Sequence, residues 1–303
     1  MAVNRLFLTL PCLAMTGCVI GGDKWPRPRD LAPSWLVDRT RILAVAANPP
    51  EIAPGETATF EALIPDPGGE GDLSRLWFAC PEVDGGFGCN LDLSTGSGTT
   101  ATGTGTDGFI GLEPFIPPVY TAPDDLLDGI TDPSDLAEGV NVLIQIAALP
   151  PEFLEAEPGE TPDIDFNAIE VGYKRLVVSQ ASTPNRNPEI FEFVIDRIPL
   201  LPESVVQVVP GQSYELGVVL EEELVEEYEY LNSDGVIEIR REEPYATWFA
   251  TDGEVFEPIT LYPYNESTWT APDEFGVSGF WYSVVRDRRG GMAWHVQAWE
   301  TAQ

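Results

Sequence analysis

One histidine and 50 carboxylates are the side chains here whose types suit acid–base chemistry. His295 stands alone, which removes most metal and triad arrangements at once, and no nucleophile-elbow or zinc-protease motif accompanies it. In AWHVQAWE (Ala293 to Glu300), alternation places Trp294, Val296 and Ala298 on one strand face and His295, Gln297 and Trp299 on the other. The second face is expected to be the outer one, with a half-exposed histidine. Paired carboxylates would suit glycoside hydrolysis, yet at this density pairs arise by chance and decide nothing. Phosphate-cradling glycine loops are absent, so the expectation is a non-enzymatic protein. Calcium suits the acidic loops better, because Asp66, Asp72, Asp163, Asp165, Asp252 and Asp287 all lie in Gly- or Pro-rich stretches. No Asp-x-Asp-x-Asp-Gly loop occurs, and the DIDF stretch (Asp163 to Phe166) is half of one. The expectation is no cofactor, with structural calcium as the weaker alternative.

The cysteines carry a different chemistry. Residues 1–17 begin with a short positive segment around Arg5, followed by the apolar LFLTLPCLAM (Leu6 to Met15). That run is too short to span a bilayer, which takes roughly 20 apolar residues; the layout is that of a secretory signal. Met15-Thr16-Gly17-Cys18 resembles the lipobox of bacterial lipoproteins, with Met standing where Leu is usual. The resemblance implies a diacylglycerol on the Cys18 thiol, cleavage before Cys18, and acylation of the new amine by a palmitate-like chain. Two or more acyl chains anchor stably where one does not. Val19 stands where an Asp would signal inner-membrane retention, so the resemblance implies the outer membrane or the cell surface. The alternatives are an ordinary secretory signal and a cytosolic protein. Residues 18–37, rich in Gly, Pro and charge, read as a tether, or as a segment whose Trp25 and Trp35 pack on the first domain.

An exported chain permits disulfides. With Cys12 leaving in the signal and Cys18 lipidated, Cys80 and Cys89 remain, bracketing CPEVDGGFGC. A disulfide is the expected pairing. Free thiols and a metal site are the alternatives, and no second Cys pair or nearby His supports a metal. The net charge of -34 repels phosphate backbones and excludes nucleic acid as a partner. The acidity either solvates an exposed protein, reflects a saline habitat, or collects divalent cations.

The elements that must carry these residues are strands. TATFEALI (Thr57 to Ile64), VNVLIQIAAL (Val140 to Leu149), YKRLVVSQ (Tyr173 to Gln180), EIFEFVI (Glu189 to Ile195) and SYELGVVL (Ser213 to Leu220) are short, β-branched or aromatic, and largely alternating, as is the His295 run. VEEYEYLNSDGVIEIRRE predicts a hairpin turning at NSDG. DDLLDGITDPSDLAEG (Asp124 to Gly139) predicts a helical turn or two at most.

Three landmarks recur in order. PPEIAPGETATFEAL from Pro49 is echoed by VVQVVPGQSYELGVV from Val205, Trp77-Phe78-Ala79 by Trp248-Phe249-Ala250, and Tyr120-Thr-Ala-Pro123 by Trp269-Thr-Ala-Pro272. In register they argue for two copies of one unit. Pro-Gly makes a tight turn into a strand, and a Trp in a central strand anchors two sheets. Ala-Pro ends a strand where a missing N–H does no harm. The pattern resembles bacterial immunoglobulin-like or PKD-like surface domains, including an Asp-plus-Gly-Gly turn at RDRRGG (Arg286 to Gly291). Cys80 and Cys89 depart from the antibody-type inter-sheet pair.

The predicted fold is all-β, two tandem immunoglobulin-like β-sandwich domains after a signal peptide and tether. Domain one covers 38–183 and carries a low-complexity, glycosylation-compatible loop at Ser94 to Gly108 and an insertion at Pro150 to Ala168; domain two covers 187–303, with Thr183 to Pro188 as the junction. Crowded aromatics (Trp281, Trp294, Trp299, Tyr228, Tyr230, Tyr262, Tyr264) form either core or a binding strip. The expected role is a structural, adhesive or binding module at the envelope, held to the membrane by its lipid, with a protein or polysaccharide partner. The alternative is a carbohydrate-binding or accessory subunit of an uptake or degradation system.

Overall fold

The computed structural model describes residues 32–67, 73–81, 89, 108–149, 169–201, 203–221, 225–231 and 236–302. The signal, Cys18, most of the tether, Asp72, Asp163, Asp165, the Pro150 to Ala168 insertion, nearly all of the low-complexity loop and the NSDG turn lie outside these residues. Trp35–Gln303 forms one compact unit. Among the described residues no helix is long and apolar enough to cross a membrane.

The unit holds two β-sandwiches of matching topology. In the first, β1 (Ala44–Asn48), β3 (Thr57–Leu63) and β6 (Val119–Thr121) form one sheet. The facing sheet runs β2 (Glu51–Ile52), β8 (Glu170–Val178), β7 (Val140–Leu149), β4 (Ser74–Pro81) and β5 (Gly108–Glu113). Among the described residues one short helix, α1 (Pro133–Glu138), is capped by Asp132, whose carboxylate accepts the Ser134 N–H.

The second sandwich repeats this plan. One sheet runs β10 (Ile198–Pro199), β9 (Ile190–Ile195), β12 (Ser213–Leu220), β18 (Glu266–Thr270) and β16 (Glu254–Val255). The other runs β11 (Val205–Val208), β20 (Met292–Thr301), β19 (Ser278–Arg286), β15 (Tyr245–Ala250) and β17 (Ile259–Leu261). Each sandwich has one short parallel pair at the same place, β2 with β8 and β11 with β20, among otherwise antiparallel ladders. The hairpin β13 (Glu227–Leu231) and β14 (Ile237–Arg241) is inserted between β12 and β15.

The landmarks explain the repetition physically. Gly55 and Gly211 take φ of 83° and 69°, the left-handed turn that leads into β3 and β12. The residue after each glycine accepts an equivalent N–H, the Glu56 carbonyl from Ala122 and the Gln212 carbonyl from Ala271, both at 3.0 Å. Trp77 and Trp248 are buried at the same position of β4 and β15. Each indole N–H finds an acceptor on the neighbouring edge strand, Glu113 on β5 and Thr260 on β17, both at 2.9 Å. Burying one Trp removes roughly 150–250 Å², which at about 25 cal/mol per Å² favours folding by about 4–6 kcal/mol before entropy. Trp269, Trp281 and Trp299 fill the second core with Trp248, and Trp269 meets Trp281 edge-on at 4.8 Å.

Two sequence expectations need correction. The His295 face of β20 points into the second sandwich, where the imidazole stacks on Phe193 at 4.8 Å and burial lowers its pKa. Trp294 lies on the other face and packs in a third apolar cluster with Val37, Leu43, Ala44, Tyr282 and Val284. That cluster joins the sandwiches, so both faces of β20 are covered in part. Trp35 packs on the second core rather than on the first sandwich, and its carbonyl accepts the Ala250 N–H at 3.1 Å.

Candidate functional site

The turn between β19 and β20 is built around a buried carboxylate. Asp287 accepts N–H groups from Arg289 at 2.7 Å and from Gly290 and Gly291 at 2.9 Å. These donors curl the backbone into a concave nest, with Arg288 and Gly290 at φ of 70° and 115°. At Gly291 a Cβ would sit 2.8 Å from the Arg186 carbonyl, so only glycine fits beneath the junction strand. Burial raises the Asp287 pKa, opposed by the Asn185 hydrogen bond and the backbone donors.

Around Asp287 the two sandwiches are stitched by polar groups. The Asn185 amide donates to Asp287 at 2.8 Å, and its N–H donates to Glu51 at 2.7 Å. Ser179 donates to the other oxygen of Glu51. Lys174, on β8 of the first sandwich, donates to the Gly290 carbonyl, and burial brings its pKa down to about 8. Asn187 donates to the Ala47 carbonyl at 2.8 Å and accepts the Met292 N–H at 2.9 Å. Arg286 donates to the Leu43 carbonyl at 3.0 Å. The junction Thr183 to Pro188 is thus a structural joint, with all three of its central side chains engaged.

Arg289 links this joint to the inserted hairpin. Its guanidinium donates to Glu226 at 3.2 Å and to Glu242 at 3.0 Å, and lies 3.8 Å from Glu51. It also stacks over the Tyr228 ring at 4.2 Å. Arg186 adds a 2.5 Å contact to Glu226. Glu242 and Glu226 exchange further hydrogen bonds across the base of the hairpin, the Glu226 N–H to the Glu242 carboxylate at 3.1 Å and the Glu242 N–H to the Glu226 carbonyl at 2.9 Å. Burial pushes Glu242 up to about 7.

Beside the joint opens a cleft of about 680 Å³. Arg240 and Arg241 enter from the end of β14, Arg288 and Arg289 from the β19–β20 turn, and Tyr228 and Tyr262 supply flat walls. All nine lining residues are charged or tyrosine.

Of the residues singled out from sequence, Cys80 and Cys89 form the disulfide, with Cα atoms 5.6 Å apart, and the Cys89 N–H donates to Gln145 at 2.8 Å. Cys18 lies outside the described residues. Of the calcium candidates among the described residues, Asp66 accepts the Thr40 hydroxyl at 2.8 Å, Asp252 the Gly253 N–H at 2.6 Å, and Asp287 is filled by N–H donors. Among the described residues no group of three or more His, Cys, Asp or Glu is arranged to hold a metal ion. Sequence reading missed the cleft. Its available signal was two Arg-Arg pairs, 240–241 and 288–289, in a chain with 16 basic residues.

No protein-family model matches the chain, and no curated protein matches it. Among solved structures it is similar to dimeric latent PorU from Porphyromonas gingivalis, at 12% identity and a TM-score of 0.22, over 90% of this chain and 25% of that one. It is also similar to three N-terminal domains of the highly immunogenic outer capsid protein Hoc of bacteriophage RB49, at 10% identity and a TM-score of 0.21, over 86% of this chain and 59% of that one. Adhesin InvE of Yersinia pseudotuberculosis gives 12% identity and a TM-score of 0.21, over 84% of this chain and 58% of that one. Likenesses this distant carry no argument about site or activity; the all-β sandwich description rests on the strand pairing itself.

Proposed function

We propose that this chain is a lipid-anchored bacterial envelope protein acting as a non-enzymatic binding module, its hairpin and its β19–β20 turn held rigidly so that one cleft keeps a fixed shape. The observation that carries this reading is the joint in which Arg289 meets Glu226 and Glu242 at the base of the hairpin and approaches Glu51 of the first sandwich. The cleft is lined by the hairpin, Tyr262 and that turn, and holding such pieces in place lowers the cost of binding. The membrane address is supported by Met15-Thr16-Gly17-Cys18 alone. Intact mass and fractionation of the native protein beside a Cys18→Ser variant test it. Acyl mass on a mature chain beginning at residue 18, with the variant released from membranes, is the expected result. A variant that stays membrane-bound overturns the anchor.

A carbohydrate-binding role is the second reading, favoured by the composition of the cleft. Flat tyrosine walls and many polar donors, with no aliphatic side chain among the described lining residues, suit a hydroxyl-rich ligand.

A further inference from the structure

We infer that the arginine–tyrosine cleft binds an acidic sugar, a uronate-type unit whose carboxylate is gripped by Arg241 and Arg288. This rests on the carbohydrate reading and names its substrate class.

The first ground is the distribution of cations. The chain has 14 arginines and 2 lysines against 50 carboxylates, yet four arginines line one cleft. Three carboxylates, Glu242, Glu243 and Asp287, share the lining; Arg289 serves the joint and Arg240 pairs with Glu238 at 2.8 Å, whereas Arg288 is weakly held. Arg288 and Glu243 approach at 3.6 Å with side chains 50% and 79% exposed, and exposed pairs of this kind are worth little. Such a pair opens readily to an incoming carboxylate.

The second ground is the division of labour between neighbours. Arg289 is committed to Glu226 and Glu242, forming the cleft wall. Arg288, next to it, has a left-handed backbone at φ 70°, a conformation unfavourable for a non-glycine residue. The nest around Asp287 enforces that conformation, sending successive arginines to different tasks. Across the cleft Arg241 lies over the Tyr262 ring at 5.9 Å and Arg240 over Tyr230 at 3.5 Å.

The third ground is the match of ligand to lining. Guanidinium forks suit carboxylates and phosphates alike. A chain of net charge -34 repels dianions and polyanions more strongly than a monoanion. A singly charged carboxylate on a neutral, hydroxylated ring therefore suffers least. An acidic peptide, which arginine clusters also recognise, would carry several carboxylates and meet the same repulsion as any polyanion. At about 680 Å³ the cleft admits more than a single ion.

Calorimetric titration of the full chain with a galacturonate trimer, free galacturonate, a neutral glucose trimer, inorganic phosphate and a glutamate hexapeptide tests the inference. The free sugar acid, a monoanion, should bind, and more tightly than the trimer, a trianion; a tighter trimer would overturn the choice of a singly charged ligand. Arg288→Gln and Arg241→Gln should each weaken binding at least tenfold with unchanged melting temperature. Glu243→Gln, removing the competing carboxylate, should strengthen it several-fold. Equal binding of the neutral trimer, unaffected by Arg288→Gln, would overturn the acidic-sugar inference while leaving a carbohydrate module. Tighter binding of phosphate or of the hexapeptide would overturn it in favour of those ligands. No binding of any saccharide would overturn both the inference and the carbohydrate reading.

Discussion

The Asn185 side-chain amide donates to the buried Asp287 carboxylate at 2.8 Å, joining the segment between the sandwiches to the last turn of the second. The same Asn185 donates its backbone N–H to Glu51 of the first sandwich at 2.7 Å. Three pieces of chain, 102 and 134 residues apart in sequence, are therefore fixed by one residue.

Asp287 is the member of this set whose loss costs most. Asp287→Ala strips the acceptor from three backbone N–H groups and from Asn185, and leaves Lys174 buried without its nearby countercharge. Breaking a buried charged network by removing one partner costs about 3–5 kcal/mol. Urea unfolding should show a loss of that size. A loss below about 1 kcal/mol would mean that the turn holds without its carboxylate.

Glu242 gives the joint a pH dependence of defined sign. Burial raises its pKa from 4.5 to about 7, with Asp287 adding to the rise and Arg289 opposing it. The folded state therefore holds the proton that the unfolded chain releases near 4.5. Its contribution to stability is complete below that value and is lost as pH rises through about 7. The Glu242 contribution should fall between about pH 4.5 and 7, against a rise from His295, whose pKa burial lowers, and Glu242→Gln should flatten the fall without abolishing it, because burial raises Asp287 in the same direction. Identical pH profiles for the two proteins would contradict the burial of an ionisable Glu242.

The Cys80–Cys89 disulfide closes a loop with a sequence separation of 9. The chain-entropy estimate for such a loop is about 2–3 kcal/mol. Cys80→Ser with Cys89→Ser should lower the unfolding free energy by about that amount, and a reductant should do the same to the wild type. An unchanged midpoint under reduction would remove the bridge as a source of stability.

The Pro-Gly turns should respond alike. A Cβ on Gly55 would lie 2.5 Å from an Asp124 carboxylate oxygen, and one on Gly211 would lie 2.8 Å from an Asp273 oxygen. Both glycines are in the left-handed region. Gly55→Ala and Gly211→Ala should each destabilise by about 1–2 kcal/mol, read from thermal unfolding. A neutral result at either site would break the equivalence of the two turns.

How far the sequence could be read follows from this geometry. β7 and β12 match the runs Val140 to Leu149 and Ser213 to Leu220 residue for residue, because β-branched and apolar composition bounded by turn residues is written locally, although burial along neither strand strictly alternates. The Trp-Phe-Ala and Thr-Ala-Pro landmarks were legible because each marks one fixed event, a core anchor or a strand end. The facing of β20 was not, since Trp294 and Trp299 give both its faces an apolar residue and both are partly covered. The joint was harder still. Its members lie at positions 51, 174, 185, 226, 242, 287 and 289, and polar loop residues look solvent-bound until two sandwiches close over them. Asp287 accordingly looked like a calcium ligand and proves to be the cap of its own turn.

Pulsed electron-spin distance measurement between labels at Glu61→Cys and Glu266→Cys, one on an exposed strand position of each sandwich, tests the rigid joint most directly. One narrow distance distribution in the wild-type background, broadening when Asn185→Ala and Arg289→Ala are added, is the predicted result. A broad distribution in the wild-type background would contradict a locked pair of sandwiches.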